Sequence, residues 1–287
     1  MLQLSTIRKT AALYAVLTTF LLAGCTGTQQ STAPVKSEQT AEHSPKEAHQ
    51  KPSEMDRLVA NSITGEIPPA FFQAVENRTR TMSGKPGANY WTQWTDYDID
   101  VELIPADTLL KGSSTITYHN NSPDTLNQLF LELTQNLHKK GVVRNESTEV
   151  TGGINLRNVS TGDTELDIMR SSRAPQGYYE DGTLMIVRPA KSIAPGETVE
   201  ISIDWDFKVP QRGAGGRMGY NKDNLFYIGY WYPKMRVYDD VNGWATDPFQ
   251  GNAEFYHGFG DYNVDITVPE QWMVASTGRL TNPKNIL

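Results

Sequence analysis

The stretch "TVEISIDWDF", Thr198 to Phe207, alternates without a slip: Val199, Ile201, Ile203, Trp205 and Phe207 point one way, and Glu200, Ser202, Asp204 and Asp206 the other. A period of two is the signature of a β-strand with one dry and one wet face. "YDIDVEL" (Tyr97–Leu103) and "YNVDITV" (Tyr262–Val268) repeat the scheme. Half-wet strands of this kind belong to antiparallel sheets. Further strands are expected at 112–118, 126–133, 153–159, 184–187 and 225–232, with turn chemistry between them. "APGE" at Ala194–Glu197 suits a type II turn. The expected fold is all-β, a large antiparallel saddle-like or sandwich-like domain over residues 88–287, and about two hundred residues is an ordinary size for one such unit.

The segment ahead of that domain divides in three. Residues 1–24 carry Arg8 and Lys9, an apolar run from Thr10 to Leu22, and small residues before Cys25. This pattern reads as a secretory signal, and the run falls short of the roughly 20 apolar residues that span a bilayer. "LAGC" (Leu22–Cys25) resembles the bacterial lipobox, which implies that Cys25 is lipidated and becomes the first mature residue. Thr26 stands where an aspartate would favour inner-membrane retention, so an outer-membrane address is expected if the cell has one. Residues 25–54 contain Val35 as their one large aliphatic residue and no aromatic. Such a segment buries too little to offset its ordering entropy and reads as a flexible tether, with His43 and His49 solvated in it. Residues 55–87 form a helical lead-in, where "PPAFFQAVENRTRTM" predicts a helix from Pro68 to Met82 that breaks at Gly84–Gly87.

Charge and cysteine content narrow the function. Removal of the signal segment takes two positive charges with it and moves the formal charge from −7 to −9. Acidity on this scale argues against nucleic acid as a partner. Cys25 is the single cysteine, so no disulfide forms within the chain. The aspartates of "DYDID" fall on the outer face of a strand rather than in a loop where carboxylates converge on a calcium ion. "RGAGGRMG" (Arg212–Gly219) leads into a strand-like segment rather than the helix a nucleotide loop would open, which favours a flexible hairpin or loop. His119, His138 and His257 stand outside any H-E-x-x-H pattern, and no G-x-S-x-G occurs. Neither a metal site nor a catalytic residue is expected in this chain.

One segment remains: "YIGYWYPKMRVYDD", Tyr227–Asp240, holds five aromatic residues and ends in two carboxylates. With alternation continued, Phe226, Ile228, Tyr230 and Tyr232 share one strand face, and Tyr227, Gly229 and Trp231 the other. Aromatic alternation of this kind is usually core. The other reading makes one face the border of a neighbouring domain.

"FYIGYWYPKMRVYDDVNGW" and "EFYHGFGDYNVDITVPEQWMVASTGRLTNP" are similar to the region closing the amino-terminal β domain of the aminopeptidase N family of zinc metallopeptidases, particularly its bacterial lipoprotein branch. "YDIDVELIPADTLLKGSSTITYHNNSPDTLNQLFLEL" resembles that domain's opening strands, so the resemblance runs from Tyr97 to Pro283. It implies a saddle-like β domain packed against a separate thermolysin-like catalytic domain. The zinc-binding H-E-x-x-H, a distant glutamate and a Gly-x-Met-x-Asn strand would then lie after Leu287, and zinc would be that domain's cofactor. "GRMGYN" (Gly216–Asn221) imitates the last motif with its asparagine one place late. The resemblance also implies a side chain that reaches from the β domain towards a peptide's free amine. Asn224 and Tyr230 stand near that place, and with Trp231 and Tyr232 they form the expected substrate-facing rim. The expected role is a lipid-anchored, non-catalytic cap on a peptide cleft, partnered by a membrane and by a catalytic domain encoded downstream or separately. The alternative is a stand-alone binding or scaffold lipoprotein of the cell envelope.

Overall fold

The computed structural model describes residues 7–10, 67–171, 173–213, 216–221, 225–252 and 256–283. Cys25, the tether and Asn224 lie outside them. In chain order the elements are β1 (Ile7–Thr10), α1 (Pro69–Glu76), β2 (Trp94–Ile104), β3 (Leu109–His119), β4 (Leu129–Glu132), β5 (Ile154–Thr161), β6 (Thr164–Glu165), β7 (Gly177–Asp181) and β8 (Leu184–Arg188). They continue with β9 (Thr198–Lys208), β10 (Gly219–Asn221), β11 (Leu225–Tyr227), β12 (Lys234–Met235), β13 (Tyr238–Asp239), β14 (Gly243–Trp244) and β15 (Phe259–Pro269). The all-β expectation holds.

A seven-stranded sheet runs β1-β15-β2-β3-β9-β5-β6, and a four-stranded sheet runs β12-β4-β8-β7. Buried side chains of both, from Ile116, Ile203 and Trp205 on the first to Leu131, Met185 and Val187 on the second, belong to one apolar core. The alternation read from β9 is the observed one: Ile201, Ile203, Trp205 and Phe207 are buried between partly exposed Ser202, Asp204 and Asp206. Two β-hairpins, β10–β11 and β13–β14, stand apart from these sheets.

The strand directions need one correction. β15 pairs with β2 in parallel, Tyr262 opposite Tyr97 and Val264 opposite Ile99. Alternation sets which face a side chain takes and is silent on direction, so the sheet is antiparallel from β2 to β6 and parallel at its β15 edge. The lead-in helix is also shorter than its spacing predicts. It stops at Glu76, because Arg78 takes the left-handed backbone region (φ 61°) and the Thr79 hydroxyl and amide both donate to the Ala74 carbonyl at 3.0 Å. A threonine hydroxyl competing for a backbone carbonyl is a common way to end a helix. Turning the chain there lets Arg80 reach Asp240 in a forked pair, Nε to Oδ2 at 2.8 Å and Nη2 to Oδ1 at 2.7 Å, under the ring of Tyr90.

Trp205 is the largest side chain sealed in the core, and its Nε1 donates to the Ser114 Oγ at 2.9 Å. Across the strand pair it faces Gly112, where a Cβ would come within 2.5 Å of the indole. The glycine is there to make room for the ring. Trp205→Ala is therefore expected to cost about 3–5 kcal/mol in a denaturant titration. Gly112→Ala should cost about 1–3 kcal/mol by overpacking, and Asp204→Ala, on the wet face, about half a kcal/mol. Equal losses at Trp205 and Asp204 would contradict the register.

Candidate functional site

The aromatic segment leaves the sheet earlier than alternation predicts. β11 ends at Tyr227, and Tyr230 adopts φ 54°, a left-handed conformation that costs a side-chain-bearing residue roughly 1–2 kcal/mol. Two hydrogen bonds hold it. The Nε2 of buried Gln135 donates to the Tyr230 carbonyl at 2.7 Å, and Arg217 Nη1 donates to the Tyr230 hydroxyl at 2.7 Å. The ring lies 6.2 Å from Phe249. The expected strand over 225–232 is thus a short hairpin strand followed by an irregular crossing. The physical reason is that Trp231 and Tyr232, neighbours in sequence, both turn towards the core, which an extended chain forbids.

Trp231 packs 5.8 Å from Trp205, and Tyr232 stands edge-on to Tyr97 at 5.7 Å and to Tyr262 at 6.0 Å. Tyr97 and Tyr262 are stacked at 4.6 Å, a consequence of their being opposite one another in the parallel pair. The Tyr97 hydroxyl accepts a hydrogen bond from the Met235 amide at 3.1 Å. Burial pushes the Tyr97 and Tyr232 hydroxyls far above their ordinary range. Both stay neutral at any physiological pH. Of the residues singled out from sequence, then, Tyr230, Trp231 and Tyr232 come together on one crossing: Tyr230 on its own side against Phe249, Trp231 and Tyr232 against the sheet.

Beside this crossing sits an ionic cluster that sequence reasoning missed. Glu132, at the end of β4, is 1% exposed and pairs with Arg236 Nη1, while His257 Nε2 lies 3.2 Å from the same oxygen and the Thr134 hydroxyl donates to the other at 2.9 Å. Arg236 also donates to the Ala245 carbonyl at 2.8 Å and the Asp247 carbonyl at 2.9 Å. Burial pushes the Glu132 carboxyl up, but the hydrogen bond and charge of His257, the charge of Arg236 and the Thr134 hydroxyl outweigh it and hold the carboxyl below its ordinary value. Lys234, opposite Glu132 in the strand pair, is pushed down by burial despite the carboxylate's opposing pull. The signal available in sequence was a glutamate inside the apolar run "LFLEL"; its partners are 104 and 125 residues away.

Two concavities border these elements. An apolar groove of about 410 Å³ is lined by Leu225, Phe226, Ile228, Trp231, Trp272 and Val274. Its rim is open, with Tyr227 60% and Met273 94% exposed. A polar cleft of about 830 Å³ lies between the lead-in and the β13–β14 hairpin, walled by Tyr90, Trp91, Asn121, Asp124 and Asp239. Among the described residues no group of three His, Cys, Asp or Glu side chains converges on a point where a metal ion could sit.

No family model matches the chain, and no curated protein does. Solved structures do. A point mutant of a two-domain M1 zinc metallopeptidase bound to L-tryptophan is 13% identical, with a TM-score of 0.36 over 68% of this chain and 39% of that one. The M1 zinc metallopeptidase from Deinococcus radiodurans is 14% identical, with a TM-score of 0.33 over 64% of this chain and 34% of that one. A mutant of the same Deinococcus radiodurans enzyme gives 13% identity and a TM-score of 0.34, over 68% and 38%. The chain spans less than two fifths of the length of each.

The ionic cluster gives a pH signature. A carboxyl whose folded value is depressed adds stability that is fully present above its ordinary value, 4.5 for glutamate, and is lost as pH falls through the lower folded value. Glu132→Gln should cost about 3–5 kcal/mol at pH 7, because Arg236 stays buried without its counter-charge. The deficit relative to the unaltered chain should shrink as pH is lowered below 4.5, as measured by urea titrations across the range. A deficit independent of pH would assign it to packing.

Proposed function

We propose that this chain is the lipid-anchored, non-catalytic amino-terminal β domain of a zinc aminopeptidase-like metallopeptidase. In this reading it caps a peptide-binding cleft whose metal centre belongs to a separate catalytic domain. The observation that carries it is the ordered run of motifs from Tyr97 to Pro283, whose opening part forms β2, β3 and β4 and whose closing strand is β15.

In this reading the chain's contribution is to shape the cleft and orient the peptide. When bound in the catalytic domain, zinc would supply an activated water and a Lewis acid. Tyr230 is held out of the sheet at a conformational cost by Gln135 and Arg217, and strain of this sort is retained where surrounding structure over-determines it. The Tyr230 crossing is the rim that faces a peptide, with Trp231 and Tyr232 as the packed base that fixes its position. The open groove between Leu225 and Val274, with Tyr227 and Met273 exposed at its rim, is the surface the catalytic domain covers.

The localisation follows from Cys25. Lipidation there would place the domain in the cell envelope, on the outer membrane of a Gram-negative cell and facing the periplasm or the exterior, at the end of a tether of residues 25–54.

Tests of the anchor and of the missing catalytic half check this reading. Cys25→Ser should leave the chain unprocessed by the lipoprotein peptidase or move it out of the detergent phase; a variant that stays membrane-bound at the normal mature mass would refute the anchor. The chain alone should bind no stoichiometric zinc and leave amino-acid arylamides uncleaved, and it should bind an apolar-surface dye. Co-expression with a neighbouring frame that encodes H-E-x-x-H should silence the dye signal and give zinc-dependent hydrolysis. A dye-silent monomer indifferent to that frame would favour a stand-alone binding lipoprotein instead.

A further inference from the structure

The polar cleft beside the lead-in is walled mainly by three stretches far apart in sequence: the lead-in after α1, the turn that follows β3, and the β13–β14 hairpin. Each wall is tied to another. The Asn89 amide donates to the Arg78 carbonyl at 3.0 Å, which folds the lead-in back on itself and brings Tyr90 and Trp91 to the cleft. Arg80 reaches across to Asp240 of the hairpin side, and the Tyr238 hydroxyl donates to Asp124 Oδ2 at 2.7 Å, from hairpin to turn. Behind that turn the Nδ2 of fully buried Asn120 donates to the carbonyls of Asp124 at 2.8 Å and Ile193 at 3.1 Å. A concavity braced in this way is formed before a ligand arrives, which lowers the cost of binding one.

The lining selects the ligand. No Lys, Arg or His is among the described residues that line the cleft, so an anion meets no counter-charge there. Aromatic rings come from Tyr90, Trp91 and Tyr238, and Tyr90 is 38% exposed. Hydrogen-bonding capacity is left over in both senses. The Nδ2 groups of Asn89 and Asn121 are anchored on the Asn77 and Thr92 carbonyls at 2.9 and 2.8 Å, and the Oδ1 atoms of Asn89, Asn121 and Asp124 accept nothing from the described residues. The Trp91 indole N–H likewise donates to none of them. A hydroxyl both donates and accepts, so a mixed set of this kind suits a polyol, whereas an ammonium group would use the acceptors alone. Arg80 adds a second argument against a cation. Its guanidinium carbon stands 4.8 Å from the centroid of Tyr90 and occupies one face of the ring, so a cation on the other face would be repelled through it. The C–H face of a sugar ring carries no such penalty.

We propose that this cleft is a binding site for a neutral saccharide chain. A sugar ring lies against Tyr90 and Trp91, and its hydroxyls bond to the side chains of Asn89, Asn121 and Asp124. The site shares no residue with the apolar groove and does not rest on the peptidase reading.

The test is calorimetric titration of the full chain, in a detergent without a sugar headgroup and at physiological salt, with maltotriose, cellotriose and triacetylchitotriose at millimolar concentration. At least one of the three should bind. Tyr90→Ala and Trp91→Ala should each weaken that binding by about tenfold, the loss of one stacked ring, with the thermal midpoint as the check on folding. Asp124→Ala, at an exposed position, takes their place if either aromatic variant unfolds. Tyr179→Ala removes an equally exposed ring outside the cleft and should bind as the unaltered chain does. Spermidine, the cationic probe, should not bind. Silence with all three saccharides, binding indifferent to the cleft variants, or uptake of spermidine that Asp124→Asn abolishes would each overturn the proposal. No readout involves zinc, peptide hydrolysis or a catalytic partner, so failure of the peptidase reading and failure of the saccharide site are told apart.

Discussion

The pairing of Glu132 with Arg236 ties together parts of the chain that lie 104 residues apart. Glu132 ends β4, Arg236 follows β12, and the guanidinium also binds the carbonyls of Ala245 and Asp247, so one buried cation fixes the route from Lys234 to Asp247. His257 brings the approach to β15 onto the same carboxylate. Two ions taken out of water gain little net stability over well-packed apolar residues, but removing either alone is expensive. The pair's contribution is therefore positional. It anchors the chain just after the irregular crossing, whose Tyr230 is held by Gln135 and Arg217.

How much of this was legible in sequence depended on whether a residue's neighbours along the chain are also its neighbours in space. β2, β3, β9 and β15 were readable because each has one wet face, marked by polar side chains at most alternate positions. β4 and β8 were harder: Leu184, Met185, Ile186 and Val187 are all buried, so their period carries little contrast. The parallel pairing of β15 was invisible, since the same pattern fits either direction. At the crossing, Trp231 and Tyr232 could not be read correctly by alternation, because their shared inward orientation comes from a backbone departure at Tyr230 that Gln135 and Arg217 enforce from elsewhere. Those two residues and Glu132 look ordinary in sequence. Their roles exist only through long-range contacts.

The lead-in shows the same principle on a smaller scale. Helical spacing persists past Glu76, yet Arg78 and Thr79 turn the chain there and Arg80 meets Asp240, 160 residues on. The local preference for another turn is worth tenths of a kcal/mol per residue. A forked arginine–carboxylate pair with a stacked tyrosine outweighs it.

The parallel partnership of β2 and β15 also constrains the order in which the fold can be completed. Asp98 and Asn263 are hydrogen-bonded across 165 residues, so a chain synthesised from its amino terminus exposes one flank of β2 until β15 has been made. Pairings of such sequence separation form slowly and late. The antiparallel run from β2 through β3 to β9 can close first, leaving a half-built sheet whose open flank is acidic at every second position. Those carboxylates, which cost the finished sheet some stability, would keep two unfinished chains from zipping together while each waits for its own last strand.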